Sequence, residues 1–169
     1  MSTSLAFFLS IAFSLVAWGL VASRYVWPRL RARPRAEALQ PLLILNSFRF
    51  AGLAFLVPGV VSPELPPTFA HAAAYGDIAA AVLALLALLT QSRGIGISLA
   101  WIVNLWGAAD LLNAFYQANA SGLTPGQLGA AYFIPTLAVP MLLMAHILAF
   151  RILLKPQTAA AAQAHQLAA

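Results

Sequence analysis

The chain predicts an all-α fold, a polytopic membrane bundle of five transmembrane helices with its N-terminus outside and its C-terminus in the cytoplasm. Three observations carry this. Of 169 residues, 62% are hydrophobic and 8% are charged, where a soluble domain carries about 25% charged residues. Five apolar stretches each approach the ~20 residues that a bilayer requires. Once five crossings are counted, the basic residues outside those stretches all fall on one side of the membrane.

The predicted first span, Leu5–Ser23, follows an uncharged Met1–Ser4 and ends at an Arg cluster. A signal peptide has a positive n-region and a shorter apolar core, so this span reads as a retained helix. The Arg- and Pro-rich segment Arg24–Pro41 separates it from the second span, Leu42–Val61, which holds Asn46 and Arg49 three residues apart. Pro and Glu in Ser62–Thr68 break the chain before the third span, Phe69–Thr90. There Gly76, Ala80 and Ala84 make a small-residue ridge beside Asp77. Ser10 and Ser14 do the same on the first span.

The short turn Gln91–Gly94 leads to the fourth span, Ile95–Gln117. Its polar residues Asn104, Gly107, Asp110 and Asn113 recur every third position, with Gln117 four further on. These are predicted to form one polar stripe facing other helices or a wet cavity, although a strict three-step series drifts around a helix. Ala118–Gly126 reads as a loop. The fifth span, Leu128–Leu154, is the longest, and is expected to tilt, kink or begin in the interface. Pro135 and Pro140 predict the kink, and His146 follows on the cytoplasmic side. The membrane domain is thus 1–156, and 157–169 is an Ala/Gln-rich cytoplasmic tail with a lone His165.

Orientation rests on nine Lys and Arg. Arg49 is within a span. Arg24, Arg29, Arg31, Arg33, Arg35, Arg93, Arg151 and Lys155 share one side, which the positive-inside rule makes cytoplasmic. The Arg24–Arg35 cluster is read as this topology determinant, not as a nucleic-acid or anionic-lipid site, and nucleic acid is not an expected partner. Tyr25, Trp27 and Trp101 fit one interfacial belt, and Tyr75, Tyr116 and Tyr132 the other.

Arg49, Asp77 and Asp110 are charges inside apolar spans, where each costs roughly 2.5–3.5 kcal/mol on insertion scales. Short connections make the second, third and fourth spans antiparallel neighbours, so an extended Arg49 is expected to reach either Asp. Two readings stand. One is a structural ion pair that fixes helix register. The other follows from charge: one Arg against two carboxylates leaves a net negative charge, to be met by a proton, water or a cation. Asp110, deeper and flanked by amides, is the candidate proton-binding carboxyl.

Other chemistries lack their residues. No cysteine is present, which excludes disulfides, thiolate metal sites and CxxC haem attachment. Lys155, the sole Lys, lies at a membrane edge, where a retinal Schiff base cannot form. His71 and His146 are expected toward opposite faces, against a bis-His haem. HExxH, P-loop and GxSxG motifs are absent. No cofactor, metal ligand or catalytic residue is predicted. Ligand- or proton-binding candidates are Arg49, Asp77, Asp110, Asn104, Asn113, Asn46 and His146.

Phe48-Arg49, Leu65-Pro66, Phe69-Ala70, Gly76-Asp77, Gly107, Asp110, Pro135, Pro140 and His146 together resemble small multi-span bacterial membrane proteins without an assigned function. The resemblance covers Asn46–Phe150 and implies a bacterial inner-membrane setting, but no activity. Three roles are expected from the residues themselves. The first is small-solute or proton-linked binding or transport, with a homo-oligomer supplying room for passage. The second is an accessory subunit of a larger membrane complex, with the charges structural. An intramembrane lipid enzyme ranks last.

Overall fold

The computed structural model describes residues 2–156; the segment 157–169, with its His165, lies outside the described residues. Among the described residues, five helices are long and apolar enough to cross a membrane: α1 Thr3–Leu30, α2 Arg35–Leu56, α3 Pro67–Leu89, α4 Gly96–Ala120 and α5 Ile134–Leu153. The Ser2 hydroxyl caps α1 by accepting the Leu5 N–H at 3.2 Å.

Helix ends depart from the hydropathy boundaries. The Arg- and Pro-rich segment, predicted as a connection, is mostly helix. It comprises the end of α1, a break at 31–34 and the start of α2. Hydropathy marks what can sit in lipid, whereas Arg, Ala, Leu and Glu sustain a helix wherever they lie. The fifth span is shorter than predicted. Pro125–Tyr132 is a separate 3₁₀ stretch, broken at Gly129 with φ 52° and ψ −132°.

Two prolines are accommodated by widening the preceding turn. Ala22–Val26 takes π geometry before Pro28, and Ile134–Ala138 does so before Pro140. The Thr136 hydroxyl donates to the Tyr132 carbonyl at 2.7 Å, the bond a threonine makes back to the preceding turn of a helix. In α2 the helix tightens instead, and Phe48–Leu56 is 3₁₀.

α3 is the central element, packed on both α2 and α4. Its buried face is built from Ala70, Ala73, Ala74, Gly76, Ala80, Ala81, Ala84 and Ala87. The predicted Gly76/Ala80/Ala84 ridge is part of this face. Between helices in lipid there is little hydrophobic driving force, so close backbone approach through small residues supplies the attraction. The larger Val82, Leu85, Leu86 and Leu89 point outward. α1 is the least embedded helix, with Ser14, Ala22 and Leu30 as its buried residues.

Contacts tie Arg31, Arg35, Arg151 and Lys155 together at one end of the bundle. Arg35 donates to the Lys155 carbonyl, and Lys155 Nζ donates to the Arg31 carbonyl at 3.3 Å. Gln91 donates to the Ala36 carbonyl at 2.5 Å, and the Arg151 guanidinium lies 4.2 Å from the Trp27 ring centre. At the far end, Ser62 N–H donates to the Gln127 carbonyl at 3.0 Å and Ala130 N–H to Val60 at 2.8 Å. Gln127 Nε2 adds a bond to the Glu64 carbonyl at 2.9 Å.

The apolar interior is divided. One cluster near the basic end includes Leu39, Leu42, Leu43, Val103, Leu148 and Ile152. A second near the far end includes Phe55, Leu65, Phe69, Leu128 and Ala131. The buried polar side chains lie between them.

Candidate binding site

Arg49 leaves α2 in its 3₁₀ stretch and crosses toward α3 and α4. Its Nε donates to Asp77 Oδ1 at 2.7 Å, and Nη2 approaches the same oxygen at 2.6 Å. Nη2 also donates to Asp110 Oδ2 at 2.5 Å, and Nη1 to the Gly107 carbonyl at 3.1 Å. All three guanidinium nitrogens are engaged, and the side chain has no exposed surface. The planar fork serves two carboxylates and a carbonyl together, which a lysine ammonium cannot do with the same geometry.

Three glycines make room for these groups. A Cβ on Gly52 would strike Asp77, and one on Gly76 would strike Asp110. A Cβ on Gly107 would lie 2.5 Å from His146 Cε1 and 2.8 Å from Arg49 Nη1. α2, α3 and α4 each make room for the cluster through a residue without a side chain. Gly76 and Gly107 belong to the sequence-predicted set. Gly52 does not, although a glycine three residues after an intramembrane Arg was the available signal.

α5 joins through His146. Its Nδ1 lies 2.7 Å from Asn104 Oδ1, so with this amide orientation the ring donates there and Nε2 is left as an acceptor. Among the described residues, His146 Nε2, Asn104 Nδ2 and Asn46 Oδ1 are buried without a hydrogen-bond partner. Asn46 spends its amide on the Leu42 carbonyl at 2.9 Å and makes no bond to Arg49.

Arg49, Asp77, Asp110, Asn104 and His146 therefore come together, and Asn46 is buried one turn away. Asn113 does not join them, because it is exposed on the outside of the bundle. Nine residues separate it from Asn104, two and a half turns at ~3.6 residues per turn, which places it on the opposite face. The predicted stripe ends at Asp110, and the drift of a three-step series is the physical reason.

A cavity of about 420 Å³ runs alongside the cluster, within the ~300–1,000 Å³ range of ligand pockets. Its walls are mainly apolar, with Phe7 and Phe8 from α1, Phe55 from α2, Phe69 from α3 and Phe115 from α4. Asp77 and Asp110 both line it. From Asn119, near the far end, down to Asp110 is nine helical residues, or about 13 Å. Arg49 borders a separate cleft of about 80 Å³ between α2 and α5. The sequence carried no signal for the larger cavity, whose walls come from residues distant in the chain.

Fold and polar layer together define a class: an all-helical protein with five helices of membrane-spanning length and a charged cluster held among them. The chain belongs to the family described as Domain of unknown function (DUF8737), which it matches over residues 6–154. No curated protein and no solved structure matches it.

Proposed function

We propose that the chain is a multi-pass bacterial inner-membrane protein that binds a small solute at the Arg49/Asp77/Asp110 cluster and couples that binding to a proton. The supporting observation is the cavity: it is ligand-sized and reaches two carboxylates that share a single guanidinium. If both carboxylates are ionised, the cluster carries one excess negative charge. A proton or a ligand can offset that charge, and the two then exclude one another. The titratable and charged groups facing this point are Arg49 from α2, Asp77 from α3, Asp110 from α4 and His146 from α5; α1 contributes none. With the basic end in the cytoplasm, the cavity opens from the outer half of the membrane.

Infrared difference spectroscopy across a pH step, on protein in liposomes, tests the coupling. A carboxyl band that changes with pH and disappears in Asp110→Asn is expected. No pH-dependent carboxyl band at all, in wild type or variant, would sink the proposal. Proteoliposome proton flux that is unchanged by Asp110→Asn and Arg49→Ala would confine the role to binding without transport.

The complete pairing of Arg49 favours a second reading, an accessory subunit whose cluster is structural. Gentle solubilisation with mass spectrometry separates the two. A stoichiometric foreign partner supports the accessory role, and a monomer or homo-oligomer supports the binding role.

A further inference from the structure

Resting on the binding role proposed above, we propose that the occupant of the large cavity is a free lipophilic monocation, an amphiphilic amine whose ammonium meets Asp77 and Asp110. The sign of the charge follows from which part of the cluster faces the cavity. Both carboxylates line it, and the guanidinium does not. Arg49 is turned into the helix junction, where it bonds Asp77, Asp110 and the Gly107 carbonyl, so an anion entering this cavity meets carboxylates and not the guanidinium. Each Asp gives one oxygen to Arg49: Oδ1 of Asp77 and Oδ2 of Asp110. Among the described residues, the other two oxygens accept no hydrogen bond, and the Asp77 and Asp110 side chains keep 13% and 7% of their surface exposed. Such carboxylates present acceptors and one uncompensated charge to whatever enters.

The rest of the cavity specifies the body of the ligand. Phe7, Phe8, Phe55, Phe69 and Phe115 supply aromatic faces, which hold a hydrocarbon and also attract a cation. Phe8 and Phe115 line the cavity and are also exposed on the surface of the bundle. They mark a mouth between α1 and α4 that faces lipid, so a molecule already partitioned into the bilayer can enter sideways. α1, the least embedded helix, forms one side of that mouth. A volume of about 420 Å³ suits a single-tailed, drug-sized amphiphile and not a two-chain lipid.

The test uses three probes with one skeleton: phenylbutylammonium, phenylbutanoate and phenylbutanol. Binding to the full chain in a non-ionic detergent is measured by calorimetry. Saturable binding of the ammonium is expected, with the alcohol and the carboxylate weaker by about tenfold or more. Asp110→Asn and Asp77→Asn should each weaken the ammonium by a similar factor. Because these variants disturb the cluster, Ala114→Phe provides a second probe. It fills the cavity one turn from Asp110, leaves the ion pairs in place, and should abolish binding while thermal stability is retained.

Preference for the carboxylate, or equal binding of all three probes, overturns the cation assignment and leaves a binding cavity standing. Ammonium binding that survives Ala114→Phe overturns the location. Competition by added phosphatidylethanolamine overturns the free amine in favour of a lipid headgroup. No binding of any probe overturns the inference, while the pH-dependent carboxyl band tests the proton-linked role separately.

Discussion

Gly107 is the residue on which the polar layer closes, because Arg49 and His146 both occupy the space its side chain would take. Gly107→Ala is expected to lower stability by about 1–3 kcal/mol through overpacking. Gly52→Ala and Gly76→Ala should do the same by displacing Asp77 and Asp110. Gly19 is the control: nothing lies within 4 Å of its Cβ position, and Gly19→Ala should be neutral or stabilise by up to about 1 kcal/mol through helix propensity. Unfolding midpoints in mild detergent check the set. Asn104 and Asn113 of α4 make a similar contrast. Asn104→Leu leaves the buried His146 Nδ1 without its partner and should destabilise by about 1–3 kcal/mol. Asn113→Leu, on the exposed face, should stay within about 0.5 kcal/mol. Charge inside apolar runs made Arg49, Asp77 and Asp110 legible from sequence. Spacing alone mistook Asn113 for their neighbour, and the Asn104–His146 bond joins helices whose relative rotation no local pattern encodes.

At the scale of elements, five spans were legible because each needs a long apolar run, and each has one. Their ends were not, since backbone hydrogen bonding continues where lipid stops. That is why Arg24–Pro41 is mostly helical. The wide turns before Pro28 and Pro140 answer to the prolines, whereas no residue of Phe48–Leu56 announces the 3₁₀ half of α2. The far-end connections are more ordered than a loop reading implies. Gly129 adopts positive φ, and a Cβ there would run into the Val60 carbonyl. Gly129→Ala should therefore combine backbone strain with lost close approach, for a penalty of more than about 1 kcal/mol. Because the Ser62 and Ala130 amides bond Gln127 and Val60 across the same two connections, their exchange should accelerate before that of α3. Hydrogen exchange by mass spectrometry checks this. Uniform acceleration throughout the bundle would mean that the connections are not a separate unit.

For the whole molecule, the polar layer lies between two apolar clusters, in a chain that could have filled that level with hydrophobic side chains. Buried ion pairs seldom raise stability over apolar replacements of similar volume. Removing one partner is a different matter. Arg49→Ala strands two carboxylates and should cost about 3–5 kcal/mol. Arg49→Lys should recover little, because one ammonium cannot span Asp77, Asp110 and the Gly107 carbonyl. The triple variant Arg49→Met, Asp77→Asn, Asp110→Asn removes the charges together and nearly preserves shape. Its stability is expected within a few kcal/mol of the parent, and well above that of Arg49→Ala. If the charges serve a ligand, this triple variant remains a folded bundle that no longer binds phenylbutylammonium. If they serve assembly, it folds yet no longer co-purifies with its partner. If they serve only to hold the helices, its loss appears in the unfolding midpoint alone. Unfolding midpoints, calorimetric binding and native mass spectrometry on the same three proteins distinguish these outcomes, because each places the loss in a different measurement.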